Sequence, residues 1–306
     1  MPKSLLDRIR ESVRGEILPG EPLMNHTTYR VGGAAEVLVR PATAADAVRA
    51  FRFAKTRGVP LTLLGAGSNV IAPDEGIAGI VVETKNALGG IAYREKTLAR
   101  AGAGVPLVDL AGDAARRGLR GLEPLACIPG TVGGAVVMNA GTRGGDMAGA
   151  VERIGVCTPP GRTRILEAGE LGFGYRRSML LGSDWLVLWA EIRLSPGDRR
   201  ASLKAIDEQW EERRRKYPLD EPSAGSVFKR PPGDYAGRLI EISGCKGMRA
   251  GGALVSERHA NFIVNTGSAT AADIMALIAR VRRKVYEDTG TYLELEQIPL
   301  GVHASC

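Results

Sequence analysis

The chain has 306 residues, which at about 150 residues per domain predicts two domains, each long enough to bury a core of its own. Charged residues make up 25% and hydrophobic residues 44%, as in ordinary globular proteins, and no apolar run reaches the ~18 residues of a membrane span. A net charge of +7, spread along the whole sequence, favours anionic partners and fits a phosphorylated small molecule as well as a nucleic acid.

Helical and strand patterns alternate in the first part of the chain. Apolar residues at helical spacing in 4–14 predict a leading helix, and the N-terminal helical segment is assigned to residues 1–20. A strand at 36–40, a helix between Thr43 and Gly58 and a strand at 59–64 form a βαβ pattern. A second unit follows, with strands at 79–83 and 97–103 and a helix between Pro106 and Gly118.

The pattern changes after residue 118. Residues 119–145 are rich in glycine and show neither period, so we expect irregular backbone suited to ligand contact. A strand at 185–194 precedes Pro196-Gly197, where the boundary between two domains is placed. Beyond it, the sequence predicts the following elements: a charged helix towards Lys216, a short helix at 235–242, a strand at 261–265, a long helix opened by the capping box Thr270 to Asp273, and a terminal strand at 291–296.

The cysteines and histidines give no sign of a metal or redox site. Cys127, Cys157, Cys245 and Cys306 lie far apart with no CxxC pair, which indicates isolated reduced thiols. His26, His259 and His303 are equally scattered, and we expect no metal. The sequence shows no leader pattern at its start, so a cytoplasmic location is expected, where thiols stay reduced.

Two glycine-rich loops form the first candidate ligand site. The strand at 61–64 runs directly into Gly65, Ala66, Gly67, Ser68 and Asn69, a turn that can present consecutive N–H groups to an anion. It lacks both the third glycine of the dinucleotide fingerprint and the Gly-Lys-Ser/Thr of a P-loop. Alone, such a turn is more often plain loop geometry. The second loop contains Gly130, Thr131, Val132, Gly133 and Gly134, and two such loops in one domain suit an elongated diphosphate.

Several ordered motifs resemble one enzyme family. GAGSNV and IPGTVGGAVVMNAG resemble the FAD-binding domain of the UDP-N-acetylenolpyruvoylglucosamine reductase family, and HTTYRVGGAAEVLV resembles its entry segment. FGYRRS, PSAGSVFKRP, AGRLIE, VSERHANFIVN and LELE extend the resemblance over nearly the whole chain, with order and spacing kept. The compact stretch from Arg176 to Ser226 resembles the shorter subclass of the family.

The resemblance implies an α+β fold. A two-subdomain FAD-binding domain of the PCMH or vanillyl-alcohol-oxidase type would occupy residues 21–196, and a smaller α+β substrate-binding domain would occupy residues 197–306. It also implies FAD as cofactor, NADPH as co-substrate, and reduction of UDP-N-acetylglucosamine enolpyruvate to UDP-N-acetylmuramate in cytoplasmic peptidoglycan synthesis. We expect no nucleic-acid or membrane partner, and a monomer.

Three residues match the family's catalytic positions. Arg176 would stabilise negative charge on the substrate carboxylate. Arg177 adjoins it, and the motif register alone selects Arg176. Ser226 matches the proton donor, although a turn hydroxyl is the plainer explanation. Glu296 would polarise the substrate or share the proton, whereas strand alternation with Glu294 would place both on a solvated face.

Basic residues and departures from the family pattern complete the candidate site. Arg213, Lys229 and Arg230 would attract substrate phosphates, although cations also favour a helix C-terminus for structural reasons. The run Gln297-Ile298-Pro299-Leu300 replaces the family's apolar-Arg-apolar run, and its proline is expected to cap or bend the strand. Other departures are Val137 and Arg143, where an aromatic residue is common, and Tyr217, where glutamine is usual.

Three other functions remain compatible with parts of the sequence. A flavin-dependent oxidase of small alcohols or hydroxy acids would use the same scaffold, although the C-terminal motifs resemble only the reductase. A basic nucleic-acid-binding protein is poorly supported, because aromatic residues are few and are not interleaved with basic ones. A homologue that binds FAD without turnover is the third, although all three catalytic positions carry the expected residues.

Overall fold

The structure is a computed structural model that describes residues 4–85 and 87–301. The described chain forms two compact units. The first unit contains the residues up to 20, 36–66 and 78–211, and the second contains 21–35, 67–77 and the chain from 212 onward. The predicted domain ranges 1–20, 21–196 and 197–306 follow chain order. The units differ from them because Tyr29, Val31 and Ile71 join the apolar core of the C-terminal third.

Helix ends follow the capping residues of the sequence. Thr43 accepts a hydrogen bond from Asp46 N at the start of the second helix, and left-handed Gly58 ends that helix. The predicted capping box of Thr270 and Asp273 is confirmed at the start of the last helix. The helices are α1 (Leu5–Ser12), α2 (Ala44–Arg57), α3 (Leu107–Arg116), α4 (Val132–Met138), α5 (Arg199–Lys216), α6 (Ala236–Ile242) and α7 (Ala271–Thr289).

Strands supply three sheets and several short pairs. They are β1 (Gly15–Pro22), β2 (Ala34–Pro41), β3 (Leu61–Leu64), β4 (Val70–Ile71), β5 (Ile77–Glu83), β6 (Ile91–Arg94), β7 (Leu98–Gly102), β8 (Leu119–Arg120), β9 (Gly141–Thr142), β10 (Gly145–Asp146), β11 (Val151–Thr158), β12 (Arg162–Glu167), β13 (Leu186–Arg193), β14 (Ser195–Pro196), β15 (Arg249–Ala250), β16 (Ala253–Val255), β17 (Ile263–Asn265) and β18 (Ile298–Pro299).

The first unit contains two sheets, each packed on its own apolar core. One sheet has the order β1-β2-β5-β3, with β3 parallel to β5, and Ile9 of α1 and Phe53 of α2 belong to its core. The other is antiparallel throughout, in the order β12-β11-β13-β7-β6. Its core includes Leu107 and Leu110 of α3 and Val132 of α4. This unit therefore has two subdomains.

The second unit is smaller and has one core. Its sheet has the antiparallel order β15-β16-β17, and α6 and α7 bury Leu239, Ile274 and Ile278 in the same core. A parallel pair joins β18 to β4, in the register Ile298 to Val70. The C-terminal third thus packs with residues of the entry segment and of the chain that follows the first glycine turn.

Two predicted elements were wrong. Residues 119–145 are not irregular throughout, since they include α4, β8, β9 and β10. The terminal strand at 291–296 makes only an isolated bridge between Leu295 and Phe228, and the strand comes later, at Ile298–Pro299. Pro299 does not disrupt it, because Ile298 N donates to Asn69 O and Leu300 N to Ile71 O, so the ladder uses no N–H at the proline.

The cysteines that the structure describes are buried thiols, at positions 127, 157 and 245. Burial raises the pKa of the Cys157 thiol to about 11, which keeps it protonated and unreactive at neutral pH. Cys306 and His303 lie outside the described residues. Within residues 4–85 and 87–301, no helix is long and apolar enough to cross a membrane, and no three potential metal ligands cluster.

Candidate active site

The first glycine turn follows β3 and meets the second glycine loop. A Cβ atom at Gly65 would lie 2.7 Å from Thr131 Oγ1, so only glycine permits this approach. Gly67 adopts a φ of +65°, and a Cβ there would lie 2.1 Å from His26 O. The contact between Gly65 and Thr131 brings the two loops together within the first unit, and the missing side chain at Gly65 fits close backbone approach to the diphosphate of a dinucleotide cofactor.

The second glycine loop leads into α4. Gly130 has a φ of +129°, and its carbonyl accepts from Leu107 N at 3.0 Å. Thr131 caps the helix by accepting from Gly134 N at 3.3 Å. The N–H groups of Val132 and Gly133 donate to Val105 O and Ala103 O, both at 2.8 Å. Those two N–H groups therefore form hydrogen bonds within the protein. The assignment of residues 130–134 to FAD stays a prediction.

Arg176 lies at the tip of a tight turn in the first unit, here called the Arg176 turn (residues 174–177). Gly174 and Arg177 exchange two backbone hydrogen bonds, of 2.9 and 3.1 Å, and Arg176 adopts the left-handed conformation with a φ of +53°. Its Nη2 donates to Gly141 O at 2.7 Å. Arg176 is half-buried whereas Arg177 is exposed. The turn thus directs inward the arginine that the motif register selects.

Asn139 connects the Arg176 turn to the end of α4. It is left-handed at a φ of 44°, and it is buried. Its Nδ2 donates to Gly174 O at 2.9 Å and to Asp146 Oδ2 at 3.1 Å, while its Oδ1 accepts from Ala148 N at 2.9 Å. One side chain therefore fixes the helix end, the loop after it and the turn that carries Arg176.

Ser226 lies in an irregular segment of the second unit, here called the Ser226 loop (residues 224–228). Ser226 is half-buried between Gly225, which has a φ of +74°, and buried Val227. Val227 N donates to Asn261 O at 2.9 Å, and Val227 O accepts from Glu296 N at 2.8 Å. The backbone after Ser226 is thereby held by two distant parts of the chain.

Glu296 bonds to the residue after Ser226 and to a predicted cofactor residue, Asn69. Its N–H holds the residue after Ser226, and its carbonyl accepts from Asn69 Nδ2 at 3.1 Å. Ser226, Glu296 and Asn69, which are remote in sequence, therefore lie together in the second unit. Arg176 and Gly65 belong to the first unit.

The predicted substrate-binding cations lie in the second unit and contact protein groups. Lys229 Nζ lies 3.2 Å from Glu294 Oε2. The guanidinium carbon of Arg230 lies 4.0 Å from the ring centroid of Tyr235, and that of Arg213 lies 4.8 Å from the ring centroid of Tyr217. Each guanidinium therefore makes a cation–π contact with a tyrosine ring.

Tyr217, the departure from the usual glutamine, belongs to an aromatic cluster. Its ring stacks on His259, with centroids 4.8 Å apart, and the ring of Phe262 completes the cluster. Burial lowers the pKa of His259, and its Nδ1 accepts from Asn261 N at 3.2 Å. His259 is therefore a packed, neutral imidazole.

Sequence reasoning missed three amides that organise the site: Asn139, Asn261 and Gln297. Asn139 and Asn261 lie inside the motifs MNAG and HANF, so the motifs contained them without indicating their role. Gln297 was noticed only as a departure from the family pattern. An amide side chain offers two donors and one acceptor group, which suits it to holding irregular backbone, but no local periodicity indicates that use.

Comparison with known proteins decides the family. Residues 35–166 match the FAD binding domain, and residues 217–298 match the C-terminal domain of UDP-N-acetylenolpyruvoylglucosamine reductase. The UDP-N-acetylenolpyruvoylglucosamine reductase 2 of Symbiobacterium thermophilum is 46% identical over 294 residues, 95% of each chain. The chain belongs to the UDP-N-acetylenolpyruvoylglucosamine reductase family.

Further relatives agree with this membership. The reductase of Moorella thermoacetica is 45% identical over 293 residues, 96% of each chain. The crystal structure of the enzyme from Thermus caldophilus aligns with a TM-score of 0.79 at 39% identity, covering 94% of this chain and 98% of that one. The predicted α+β fold with a two-subdomain FAD-binding domain is thereby confirmed, as is FAD as the cofactor. The protein is a flavin-dependent oxidoreductase.

Proposed function

We propose that this flavoprotein reduces UDP-N-acetylglucosamine enolpyruvate to UDP-N-acetylmuramate with NADPH as electron donor. It would act as a monomer in the cytoplasmic stage of peptidoglycan precursor synthesis. The observation that carries the proposal is the hydrogen bond from Glu296 N to Val227 O, which places Glu296 beside the Ser226 loop. The relatives that carry the reductase name, matched over at least 95% of this chain, support the choice of substrate.

Arg176 would act in the first step of the reaction, the hydride transfer from the cofactor to the substrate. Reduced FAD, when bound, would supply a hydride to the terminal carbon of the enolpyruvyl group. Residues 65–69 and 130–134 would hold the cofactor. Arg176 would donate a planar fork of hydrogen bonds to the substrate carboxylate, where negative charge grows. Its left-handed turn and its bond to Gly141 O hold that fork in place before substrate binds.

Ser226 would complete the reaction by giving a proton to the neighbouring carbon. A serine hydroxyl is too weak an acid to protonate carbon unaided, so its alkoxide needs stabilisation or a relay. Glu296 would polarise the substrate carboxyl or share the proton. Lys229, Arg230 and Arg213 would attract the phosphates of the substrate.

A single anaerobic titration tests the overall reaction. Addition of NADPH to the purified holoprotein should bleach the visible flavin band, and addition of UDP-N-acetylglucosamine enolpyruvate should then restore it. Bleaching without recovery would contradict the proposed substrate. Rapid oxygen consumption with a simple alcohol would support the oxidase alternative instead.

The Ser226→Ala variant tests the proton donor. Flavin reduction by NADPH should stay near the wild-type rate, because no proton from Ser226 is needed there. Reoxidation by the enolpyruvyl substrate should slow by about 10²–10⁴-fold, the usual contribution of general acid catalysis. Ser223→Ala is the matched control, since Ser223 precedes Ser226 by three residues in the same segment and should leave both rates unchanged. Equal slowing of both half-reactions by Ser226→Ala would contradict this role.

A further inference from the structure

The carboxamide of Gln297 lies buried beside the Ser226 loop, with the residue only 3% exposed. Its Oε1 accepts from the hydroxyl of Tyr29 at 3.1 Å. Its Nε2 donates to Ala224 O at 3.2 Å and to Gly225 O at 3.3 Å. The amide therefore joins the entry segment of the second unit to the two residues directly before Ser226.

Chemistry permits only one orientation of this amide. Both carbonyls next to Nε2 are acceptors, so the reverse orientation would place oxygen against oxygen. Tyr29 is fully buried, and burial raises the pKa of its hydroxyl, which stays protonated and donates to Oε1. Asn265 Nδ2 in turn donates to Tyr29 O at 2.9 Å, which fixes the backbone of the tyrosine. The network is fully satisfied and rigid for that reason.

Two consecutive residues hold the backbone on both sides of Ser226. Gln297 binds the carbonyls of Ala224 and Gly225 before it, and Glu296 N binds the carbonyl of Val227 after it. Gly225 is left-handed, a conformation that glycine adopts without steric penalty, and because glycine has no Cβ its own backbone preference does not fix the segment. Residues 296 and 297 thus hold the backbone on both sides of Ser226.

We propose that Gln297 is a positioning residue that holds Ser226 in place for proton delivery. The inference rests on the proposed function of Ser226. Gln297 thus uses a buried amide to hold the two carbonyls before Ser226. A displacement of about 1 Å in a catalytic group can slow a reaction by about 10²-fold, so loss of the amide should affect mainly the step that uses Ser226.

Gln297→Met tests the proposal, because methionine has a similar length and no hydrogen-bonding amide. Flavin reduction by NADPH should remain at the wild-type rate, and the maximal rate of reoxidation by the enolpyruvyl substrate should fall by about 10–10²-fold with a smaller change in KM. Tyr29→Phe is the matched control. It removes the hydroxyl and keeps the two bonds from Gln297 to Ala224 and Gly225, so the rate of reoxidation should fall much less than in Gln297→Met.

The double variant Ser226→Ala/Gln297→Met separates positioning from general stability. If Gln297 acts through Ser226, adding Gln297→Met to Ser226→Ala should cause no further slowing of reoxidation. Additive losses would overturn the positioning role and leave Ser226 as the proton donor. A wild-type reoxidation rate in Ser226→Ala alone would instead overturn the proposed role of Ser226 as proton donor.

Gln297→Glu gives a second readout if the methionine variant folds poorly. A buried carboxyl beside two carbonyls should favour its protonated form, which can donate one hydrogen bond. Its reoxidation rate relative to wild type should therefore rise as the pH is lowered. A ratio that does not change with pH would overturn the proposal.

Discussion

The Arg176 turn and the Ser226 loop present the two main catalytic candidates, and they are held in different ways. The turn is built locally, by two hydrogen bonds between Gly174 and Arg177, and it places Arg176 in the left-handed region. The loop has no such pairing of its own. It is held by side chains from far along the sequence, namely Asn261 and Gln297.

The difference predicts which substitutions each region tolerates. A left-handed residue other than glycine costs about 1–2 kcal/mol, which the surrounding structure must offset. A buried backbone group that loses its partner costs about 1–3 kcal/mol. Substitutions of the amides at the Ser226 loop should therefore reduce stability most, whereas the Arg176 turn should respond mainly to changes in backbone freedom.

Asn261→Leu should have the largest effect. Asn261 Oδ1 accepts from Phe228 N at 3.0 Å and its Nδ2 donates to Phe228 O at 2.9 Å, and both groups are buried. Their loss leaves two backbone groups unsatisfied, so the free energy of unfolding should fall by about 2–6 kcal/mol. Urea unfolding measures it. Asn25→Leu is the control, because exposed Asn25 should change stability by no more than about 0.5 kcal/mol. Similar losses at both sites would refute the comparison.

Substitutions at Arg176 should have an intermediate effect. Arg176→Ala and Arg176→Gly both remove the bond to Gly141 O, but glycine also relieves the left-handed conformation, so Arg176→Gly should be more stable by about 1 kcal/mol. Both variants should lose substrate-driven reoxidation. At Arg177, which is not among the left-handed residues, the order should reverse, with glycine less stable than alanine. The same order at both positions would argue against strain at Arg176.

His259 should give the smallest effect, through pH. Burial lowers its pKa, nearby Lys246 and Arg213 lower it further, and Glu241 opposes them. As the pH falls below about 6.5, His259 is therefore protonated in the unfolded chain before it is protonated in the folded protein. The free energy of unfolding decreases over this range, until the pH reaches the pKa of His259 in the folded protein. In His259→Asn, which keeps an acceptor for Asn261 N, urea unfolding should show a weaker loss of stability between pH 7.5 and 5. An unchanged pH profile would contradict the lowered pKa.

Local signals in the sequence identified much of the fold. Thr43 and Gly58 cap the two ends of α2, and Thr270 with Asp273 caps the start of α7. These ends could be predicted because capping bonds form between residues close in sequence. The short α4 was not predicted, because its glycines hide the helical period. Gly133 is required there by tertiary packing, since a Cβ would lie 2.9 Å from the Cβ of Ala103. The last strand was predicted at residues 291–296, earlier than β18. Its position could not be read locally, because its partner β4 is remote in sequence.

The sequence by itself determined the family, the cofactor and the candidate residues, because motifs such as GAGSNV, GYRR and GSVFK are short and keep their order. Only the tertiary structure decided how those residues are held. It brought Glu296 to the Ser226 loop, left Arg176 half-buried and Arg177 exposed, and joined Gln297 to the carbonyls before Ser226. Those contacts join segments distant along the chain, and hydrogen bonds of that kind follow from the packing of the core and not from local residue patterns.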